Sequence, residues 1–274
     1  MAITASDVNK LRKQTGAGMM DCKNALVETN GDFESAVDVL RKKGQKVAAK
    51  RGDNEAKEGV IFAEVQQGVG YILQLNCETD FVAKNPDFQS MVKSIMQVAM
   101  DKEVSSLEDL MQISYNDKLT ISEKLTEQIG VIGEKLEISN FAKVEGPTVV
   151  SYNHPGNQLA TIVALNNSSD IAADVGKQIA MQVAAMNPIA LTKEGIDDAI
   201  ISRELEIGKE LAIQEGKPAE MAEKIAQGRL GKFFKENTLL SQSFIKDNKI
   251  TVEQFLNTSD SGLTVIEFKR FCLN

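Results

Sequence analysis

The sequence is poor in the side chains on which most protein chemistry depends. It contains three cysteines, at positions 22, 77 and 272, and a single histidine, His154. Cysteines this few and this far apart, with no CxxC pair, predict neither a disulfide framework nor a zinc site. The histidine lies in the turn-like segment YNHPGN, and it is the one residue that could serve as the histidine of a Ser/His/Asp or Cys/His catalytic site. We therefore expect no metal, no cofactor and no catalytic residue.

Two further signals are missing. The chain has no GxxxxGK[ST] segment and no GxGxxG that opens a helix, so no nucleotide site is predicted by motif. It also has no apolar run of about 18 residues, and the start MAITASDVNK lacks both a basic-then-apolar signal and an Arg-rich transit pattern. We expect a cytoplasmic protein without a membrane partner.

Positive charge is in deficit as well. The formal net charge is −8 and the isoelectric point is near 5.0. Nucleic-acid backbones and anionic membranes repel such a molecule, so no direct nucleic-acid partner is expected. What is present is an ordinary globular composition, 42% hydrophobic and 26% charged over 274 residues, enough for one large domain or two to three small ones.

The first part of the chain predicts three short helices. The stretch TASDVNKLRKQTG offers Thr4 or Ser6 as N-cap and Gly16 as a stop. In MMDCKNALVETNG, the apolar spacing puts Met19 on the buried side of the second helix. The third helix, DFESAVDVLRKKG, is expected to close at Gly44. The basic-then-mixed stretch that follows, RKKGQKVAAKRGDNEAKEG, is expected to be an exposed linker.

The middle of the chain contains a repeated plan. GVIFAEVQQGVGYILQLN and PTVVSYNHPGNQLATIVALN each read as two strands around a Gly-containing turn. Each is followed by a helix that ends in similar residues, MQVAM and MQVAAM. We infer an α+β fold, with a three-helix domain over residues 1–54 and two related β-hairpin-plus-helix subdomains over 55–140 and 141–274.

The two halves differ by an insertion. From Asn76 to Gln97 is 21 positions and from Asn166 to Gln182 is 16, so the first half has five extra residues, which fall in TDFVAKN. At the equivalent place in the second half, Asp170 is expected to cap the helix.

The aromatic ring of the insertion has no assigned place. The helix that starts at Pro86 already has an inward face, made of Phe88, Met91, Val92, Ile95 and Ala99. Phe81 is surplus to that face, and the pattern leaves two interpretations open: a ring tucked under the loop, or an exposed contact. Asp80 is expected to be an N-cap or an acid of the turn.

A long helical segment is inserted near the end of the chain. The apolar spacing breaks at GKP, residues 216–218, and then resumes, which predicts an antiparallel helical hairpin over 195–235. Each arm of about 18 residues spans about 27 Å. Two arms cannot bury all their apolar surface, so a docking surface or packing against the core is expected. The closing stretch GLTVIEFKRFCLN is expected to join the sheet of the second half.

Five motifs together carry a family resemblance. LRKQTGAGMMDCKNAL, NCETDFVAKN, IGE at 132–134, SYNHPG and the GKP turn occur in an order and at separations that closely resemble bacterial elongation factor Ts. The resemblance covers essentially the whole chain, and the first two motifs are long and specific. It implies a guanine-nucleotide exchange factor, not an enzyme, that acts on the GTPase elongation factor Tu during translation elongation. It further implies a ubiquitin-associated-like (UBA-like) N-terminal domain and a coiled-coil hairpin that could dimerise the complex.

The resemblance also implies partner contacts at individual positions. The residues that match the contact near the magnesium and phosphate site of the GTPase are Thr79, Asp80, Phe81 and Val82, with Ile132 and Gly133 as neighbours. Those that match other contacts are Arg12, Met19 and Met20, against a helix of the GTPase domain, and His154, facing a different domain. The chain stops at RFCLN, without the further C-terminal module of some members, so the contacts of that module are expected to be absent or replaced.

Three rival functions follow from parts of the pattern. A protein-binding adaptor would bind its partner indifferently to GDP. An RNA-binding protein using RKKGQKVAAKR would bind free RNA with strong salt dependence, which the negative net charge opposes. An enzyme would need His154 or paired carboxylates in a pocket, whereas the acidic residues fall mostly on helical surface positions.

Overall fold

Residues 3–273 are described by the computed structural model, so the outermost residues of the predicted ranges 1–54 and 141–274 lie outside it. The structure mixes helices and sheets, as the α+β class predicts. The helices are α1 (Ala5–Thr15), α2 (Met19–Glu28), α3 (Phe33–Arg51), α4 (Asp80–Ala83), α5 (Pro86–Asp101), α6 (Leu107–Gln112), α7 (Ile121–Ile132), α8 (Ala172–Met186), α9 (Asp198–Gln214), α10 (Ala219–Asn237) and α11 (Val252–Ser259). The strands are β1 (Glu58–Gln66), β2 (Val69–Cys77), β3 (Glu137–Glu145), β4 (Thr148–Asn153), β5 (Leu159–Leu165), β6 (Ser243–Phe244), β7 (Asp247–Thr251) and β8 (Val265–Cys272).

The first two helices begin and end largely where the sequence predicts, and the third begins there. Thr4 is the N-cap of α1 and forms a capping box with Asp7, and Gly16 ends the helix in the left-handed conformation at φ 72°. The three helices share one small core, which includes the fully buried Leu11 and Leu26. The capping-box geometry decides between the two candidate caps in favour of Thr4.

The prediction that the third helix closes at Gly44 is wrong. Helix α3 continues to Arg51, and the stretch expected to be an exposed linker is mostly helical. Gly44 is buried where α3 crosses α7, and a Cβ added at Gly130 would lie 2.6 Å from the Cα of Gly44. The glycines therefore allow two helix backbones to touch, and this close approach explains Gly44 without a chain reversal.

Two three-stranded antiparallel sheets follow. Their orders are β1-β2-β3 and β4-β5-β8, so each predicted hairpin gains a third strand from later in the chain. The closing strand β8 pairs with β5, as expected. The helix after the second hairpin differs in one detail, because α8 has Ile171 and not Asp170 at its N-cap and no side-chain cap.

The sheets pack against each other and each carries helices on its outer face. One core lies between the sheets and includes Ile61, Ile72 and Ile162. A second core lies between the first sheet and α5, α6 and α7, and a third lies between the second sheet and α8 and α11. The inward face predicted for α5 is buried as expected.

The helical hairpin is present and consists of α9 and α10. Its arms meet through small residues, because Gly208 and Ala212 of one arm and Ala222 and Ala226 of the other are buried. Larger apolar side chains of the hairpin remain exposed; they are Ile200, Ile207, Leu211, Ile213 and Met221. The expectation that two arms cannot bury all their apolar surface is thus met.

Candidate functional site

The insertion of the first half folds as a single turn of helix, α4. Thr79 is its N-cap: the Thr79 backbone is extended and its hydroxyl accepts a hydrogen bond from the N–H of Val82. Asp80 is the acid of the first turn and not the cap. Pro86 then opens α5 directly, with Asn85 as its cap. The strand, the single turn and the long helix therefore follow one another with little free backbone.

The ring of Phe81 points into solvent and is 84% exposed. On the same turn Val82 is half-buried and Ala83 is buried against the core of α5 and the first sheet, which turns positions 80 and 81 outward. The interpretation that the ring tucks under the loop is wrong. Burying a Phe stabilises a fold by about 1.5–3 kcal/mol, and this chain does not gain that contribution from Phe81.

The carboxylate of Asp80 is ionised, and a single exposed ion pair positions it. It forms an ion pair of 2.6 Å with Lys84, one helical turn later, and this hydrogen bond lowers the Asp80 pKa. Both side chains are largely exposed, so the pair contributes little to stability and exchanges readily with other donors. Asp80 is thus an acceptor available to a partner.

Glu134 holds the start of α4 from outside. One of its carboxylate oxygens accepts from the backbone N–H groups of Glu78 and Thr79, at 3.1 and 3.0 Å. The other accepts from the hydroxyl of Thr79 at 2.7 Å. Sequence reasoning did not assign Glu134 a role, although the residue belongs to the quoted IGE motif.

Glu78 makes the reciprocal contact. Its carboxylate accepts from the backbone N–H of Lys135 at 2.6 Å, from the guanidinium of Arg51 at 2.9 Å and from the amide of Asn54 at 3.0 Å. The bond from Lys135 is the main cause of a lowered Glu78 pKa. Glu78, Arg51 and Asn54 were not among the predicted site residues, since partners 24 and 27 positions away leave no local signal.

The predicted neighbours Ile132 and Gly133 lie at the end of α7, next to this network. Ile132 is the last residue of the helix and packs half-buried against the core shared with α5. Gly133 caps the helix in the left-handed conformation at φ 81° and directs the chain to Glu134. The structure therefore brings the segment 79–82 and the pair 132–133 together, with Glu134 as the link.

The predicted N-terminal contacts form a separate exposed group. Arg12 lies in the last turn of α1, and Met19 and Met20 open α2 with exposed fractions of 53% and 64%. The prediction that Met19 is on the buried side is wrong. Helical side chains lean toward the N-terminus, so the side chain of the first residue projects beyond the packed face, which begins at Cys22.

His154 lies in the turn between β4 and β5, as predicted, and is exposed. Its Nδ1 is 2.9 Å from the hydroxyl of Tyr152. Both rings line an open apolar groove of about 490 Å³ that also involves Met181 and Ile245. His154 thus belongs to the second sheet, whereas the segment 79–82 follows the first.

Between residues 3 and 273, no three His, Cys, Asp or Glu side chains form a group that could hold a metal ion. None of the helices in that range combines the length and hydrophobicity that a membrane crossing requires.

Comparison with known proteins gives one consistent family. The family model described as Elongation factor TS matches residues 78–274. A protein named Elongation factor Ts from Porphyromonas gingivalis is 50% identical over 274 residues, covering 100% of this chain and 99% of that protein. Proteins of the same name are 51% identical over 273 residues in Christiangramia forsetii, covering 99% of this chain and 98% of the relative, and 38% identical over 330 in Bacteroides fragilis, covering 100% and 99%.

Proposed function

We propose a function from the premise that this chain belongs to the elongation factor Ts family and is therefore a translation elongation factor. It promotes release of GDP from the GTPase elongation factor Tu in the cytoplasm, so that GTP can reload during elongation. It is an exchange factor with no covalent chemistry of its own. The observation that carries this proposal is the exposed ring of Phe81 on a turn held by surrounding hydrogen bonds.

Exchange requires the factor to stabilise the nucleotide-free partner more than the loaded one. The coupling is reciprocal: the factor by which this protein weakens GDP binding is the factor by which GDP weakens its own binding. Magnesium is a suitable target, because it requires near-ideal octahedral geometry at about 2.0 Å and tolerates little displacement. Moving the groups that support the ion loosens the phosphates that it bridges.

Phe81 is the group that would disturb that support. An apolar ring that is 84% exposed gains free energy by entering an apolar gap in a partner. We assign it the role of a wedge behind the magnesium and phosphate site, with Val82 and Thr79 fixing the turn on which it stands. Asp80 orients the wedge by exchanging Lys84 for donors of the partner.

Burial of the Phe81 ring alone cannot supply the free energy that fast GDP release requires. Burying one Phe supplies about 1.5–3 kcal/mol, whereas a thousandfold faster release requires about 4 kcal/mol, at about 1.36 kcal/mol for each factor of ten. The remaining free energy comes from contacts far from the phosphates. We assign these to Arg12, Met19 and Met20 and to His154, whereas Ile132 and Gly133 would contact the partner beside the ring.

The three groups belong to different proposed domains. Arg12 and the two methionines lie in a UBA-like domain over 1–54, the wedge lies in a subdomain over 55–140, and His154 lies in one over 141–274. Contacts on all three would anchor the body of the factor, so that strain is applied at the ring. If the partner were bound at a single surface only, it could shift as a rigid body, and no strain would reach its phosphate site.

The experiment follows a fluorescent GDP analogue leaving purified elongation factor Tu, with and without the chain and across magnesium concentrations. The wild-type chain should accelerate release, and less so once magnesium is chelated. Phe81→Ala should slow the stimulated release at least tenfold, while circular dichroism and thermal melting remain those of the wild type.

The matched control is Phe141→Ala, which removes a ring that is partly buried against the core. It should lower thermal stability and leave stimulation by the folded fraction unchanged. Binding to elongation factor Tu that is indifferent to GDP concentration would identify an adaptor and overturn the exchange proposal. Stimulation by Phe81→Ala equal to that of the wild type would overturn the role of the ring.

We also propose that the helical hairpin dimerises the complex. Its buried seam consists of small residues, which leaves Ile207, Leu211, Ile213 and Met221 exposed. Light scattering of the purified complex should give two copies of each chain, and Leu211→Lys with Met221→Lys should give one. A complex that is already 1:1 with the wild-type chain would contradict this part of the proposal.

A further inference from the structure

Helix α4 is too short to support itself. A single turn, Asp80–Ala83, fixes several backbone dihedral angles for very few internal hydrogen bonds, and isolated helices of such length are not populated in water. The cap hydrogen bond within the segment, from the Val82 N–H to the Thr79 hydroxyl, is long at 3.4 Å. The direction in which Phe81 points must therefore be set by the packing of Val82 and Ala83 on the core and by groups outside the turn.

Glu134 supplies the outside support. Its carboxylate accepts three hydrogen bonds from two consecutive residues, Glu78 and Thr79, immediately before the turn. Hydrogen bonds to an ionised acceptor are shorter and stronger than neutral ones. The Thr79 hydroxyl donates to Glu134, so its lone pairs are left to face the N–H of Val82. The support thus reaches the residue next to the ring.

The contact is reciprocal and extends to the N-terminal helices. Glu78 returns its carboxylate to the backbone N–H of Lys135, the residue after Glu134. The same carboxylate binds Arg51 at the end of α3 and Asn54 just beyond it. The ammonium of Lys135 donates to the carbonyl of Gly52 at 3.0 Å. The position of the turn is therefore coupled to the helix that carries the N-terminal contact surface.

We propose that Glu134 is a positioning residue for exchange: it acts through Thr79 to hold the Phe81 ring in the direction from which it enters the partner. This inference rests on the proposed function. It predicts that Glu134 contributes to stimulation through the ring and not by a contact of its own. Glu78 also supports the turn, because its carboxylate binds Arg51 and so links the backbone before α4 to α3.

The test is a double-mutant cycle on stimulated GDP release, with Phe81→Ala, Glu134→Ala and the pair. Glu134→Ala should reduce stimulation at least tenfold in the wild-type background. In the Phe81→Ala background the same change should reduce it less than twofold, because no ring remains to be positioned. A general loss of stability would act equally in both backgrounds.

A local measurement on the free chain complements the cycle. Hydrogen exchange of the Thr79 amide should be at least tenfold faster in Glu134→Ala, with unchanged exchange in the hairpin α9–α10. Glu134→Gln keeps the volume and one acceptor oxygen and should give smaller losses in both measurements, and it serves if the alanine variant does not fold. Glu108→Ala removes an exposed carboxylate outside this network and should match the wild type.

The outcomes separate the two proposals. A wild-type chain that does not accelerate GDP release contradicts the proposed function, whatever the variants do. A wild-type chain that accelerates release, a Phe81→Ala variant that does not and a Glu134→Ala variant that does would overturn the role of Glu134. A further tenfold loss in the double variant would also overturn it, since Glu134 would then act independently of the ring.

Discussion

The side chains of the candidate site fall into two groups: those that face water, and those that form hydrogen bonds to the backbone. Asp80 and Phe81 face water, whereas the carboxylates of Glu78 and Glu134 accept hydrogen bonds from backbone N–H groups across the α4 and α7 ends. Replacing an exposed residue away from such networks usually changes stability by less than about 0.5 kcal/mol. The holding groups are the ones on which stability depends.

The Glu78 carboxylate makes the stability of the fold depend on pH. Its folded pKa lies below the ordinary value of 4.5, mainly because the Lys135 N–H binds the ionised form. A lowered folded pKa contributes stability that is fully present above about 4.5 and is lost as the pH falls through the folded value, because the unfolded chain takes up the proton first. Urea unfolding should show Glu78→Gln less stable than the wild type at pH 7, with the gap narrowing below pH 4.5.

The control for this prediction is Glu108→Gln, which changes an exposed glutamate on α6. It should track the wild type at every pH. A stability gap between the wild type and Glu78→Gln that stays constant down to pH 3 would contradict the assignment, since it would reflect lost packing and not ionisation.

Among the elements, the crossing of α3 and α7 decides where the N-terminal helices sit. The two backbones touch at Gly44 and Gly130, where a Cβ on Gly130 would meet the Cα and N of Gly44 at 2.6 and 3.3 Å. The clash is with backbone, which cannot rotate away as a side chain can. The crossing therefore fixes the distance between the exposed methionines of α2 and the site at the end of α7.

Gly130→Ala should lower the free energy of unfolding by about 1–2 kcal/mol. Overpacking against backbone costs about 1–3 kcal/mol, and the higher helix propensity of Ala offsets up to about 1 kcal/mol of that. Denaturant unfolding monitored by circular dichroism measures the change.

Gly228→Ala is the matched variant, because Gly228 lies inside α10 with nothing within 4 Å of an added Cβ. It should raise stability by about 0.5–1 kcal/mol. Equal responses of the two variants would mean that the α3–α7 contact is not close in solution.

At the scale of the whole molecule, the two sheets are joined by more than their apolar core. The amide of Asn153, at the end of β4, both donates to the carbonyl and accepts from the N–H of the buried Ala63 on β1, at 2.8 Å each. The N–H of Ile61 donates to the carbonyl of Asn157 in the following turn at 2.7 Å. The turn that carries His154 thus covers the free edge of the first sheet.

Asn153→Ala should destabilise the chain by about 2–6 kcal/mol, because it leaves both polar groups of Ala63 without a partner, at about 1–3 kcal/mol each. Thermal and urea unfolding would measure this loss. Gln158→Ala, an exposed change in the same turn, should alter stability by less than about 0.5 kcal/mol. A similar response to both would show that the sheets are held by their apolar core alone.

The sequence by itself determined the local elements of this protein. Helix caps, apolar spacing and the doubled hairpin pattern predict α1 and α5, the two sheets' hairpins and the pair α9–α10, because those signals act within a few residues. The count of positions also locates the insertion around Phe81. The ordered motifs predict the family, which the comparisons confirm.

Only the tertiary structure determined the contacts between those elements. Gly44 lies in a sequence context that is typical of a helix end. In the fold it lies inside α3, at the point where α7, a helix from a distant part of the chain, contacts it. Phe81 fits a buried or an exposed position equally well until Val82 and Ala83 take the inward side of the turn. The bonds joining Glu78 to Arg51 and Glu134 to Thr79 connect residues 27 and 55 positions apart. Such pairings arise from how elements pack, and no local pattern encodes them.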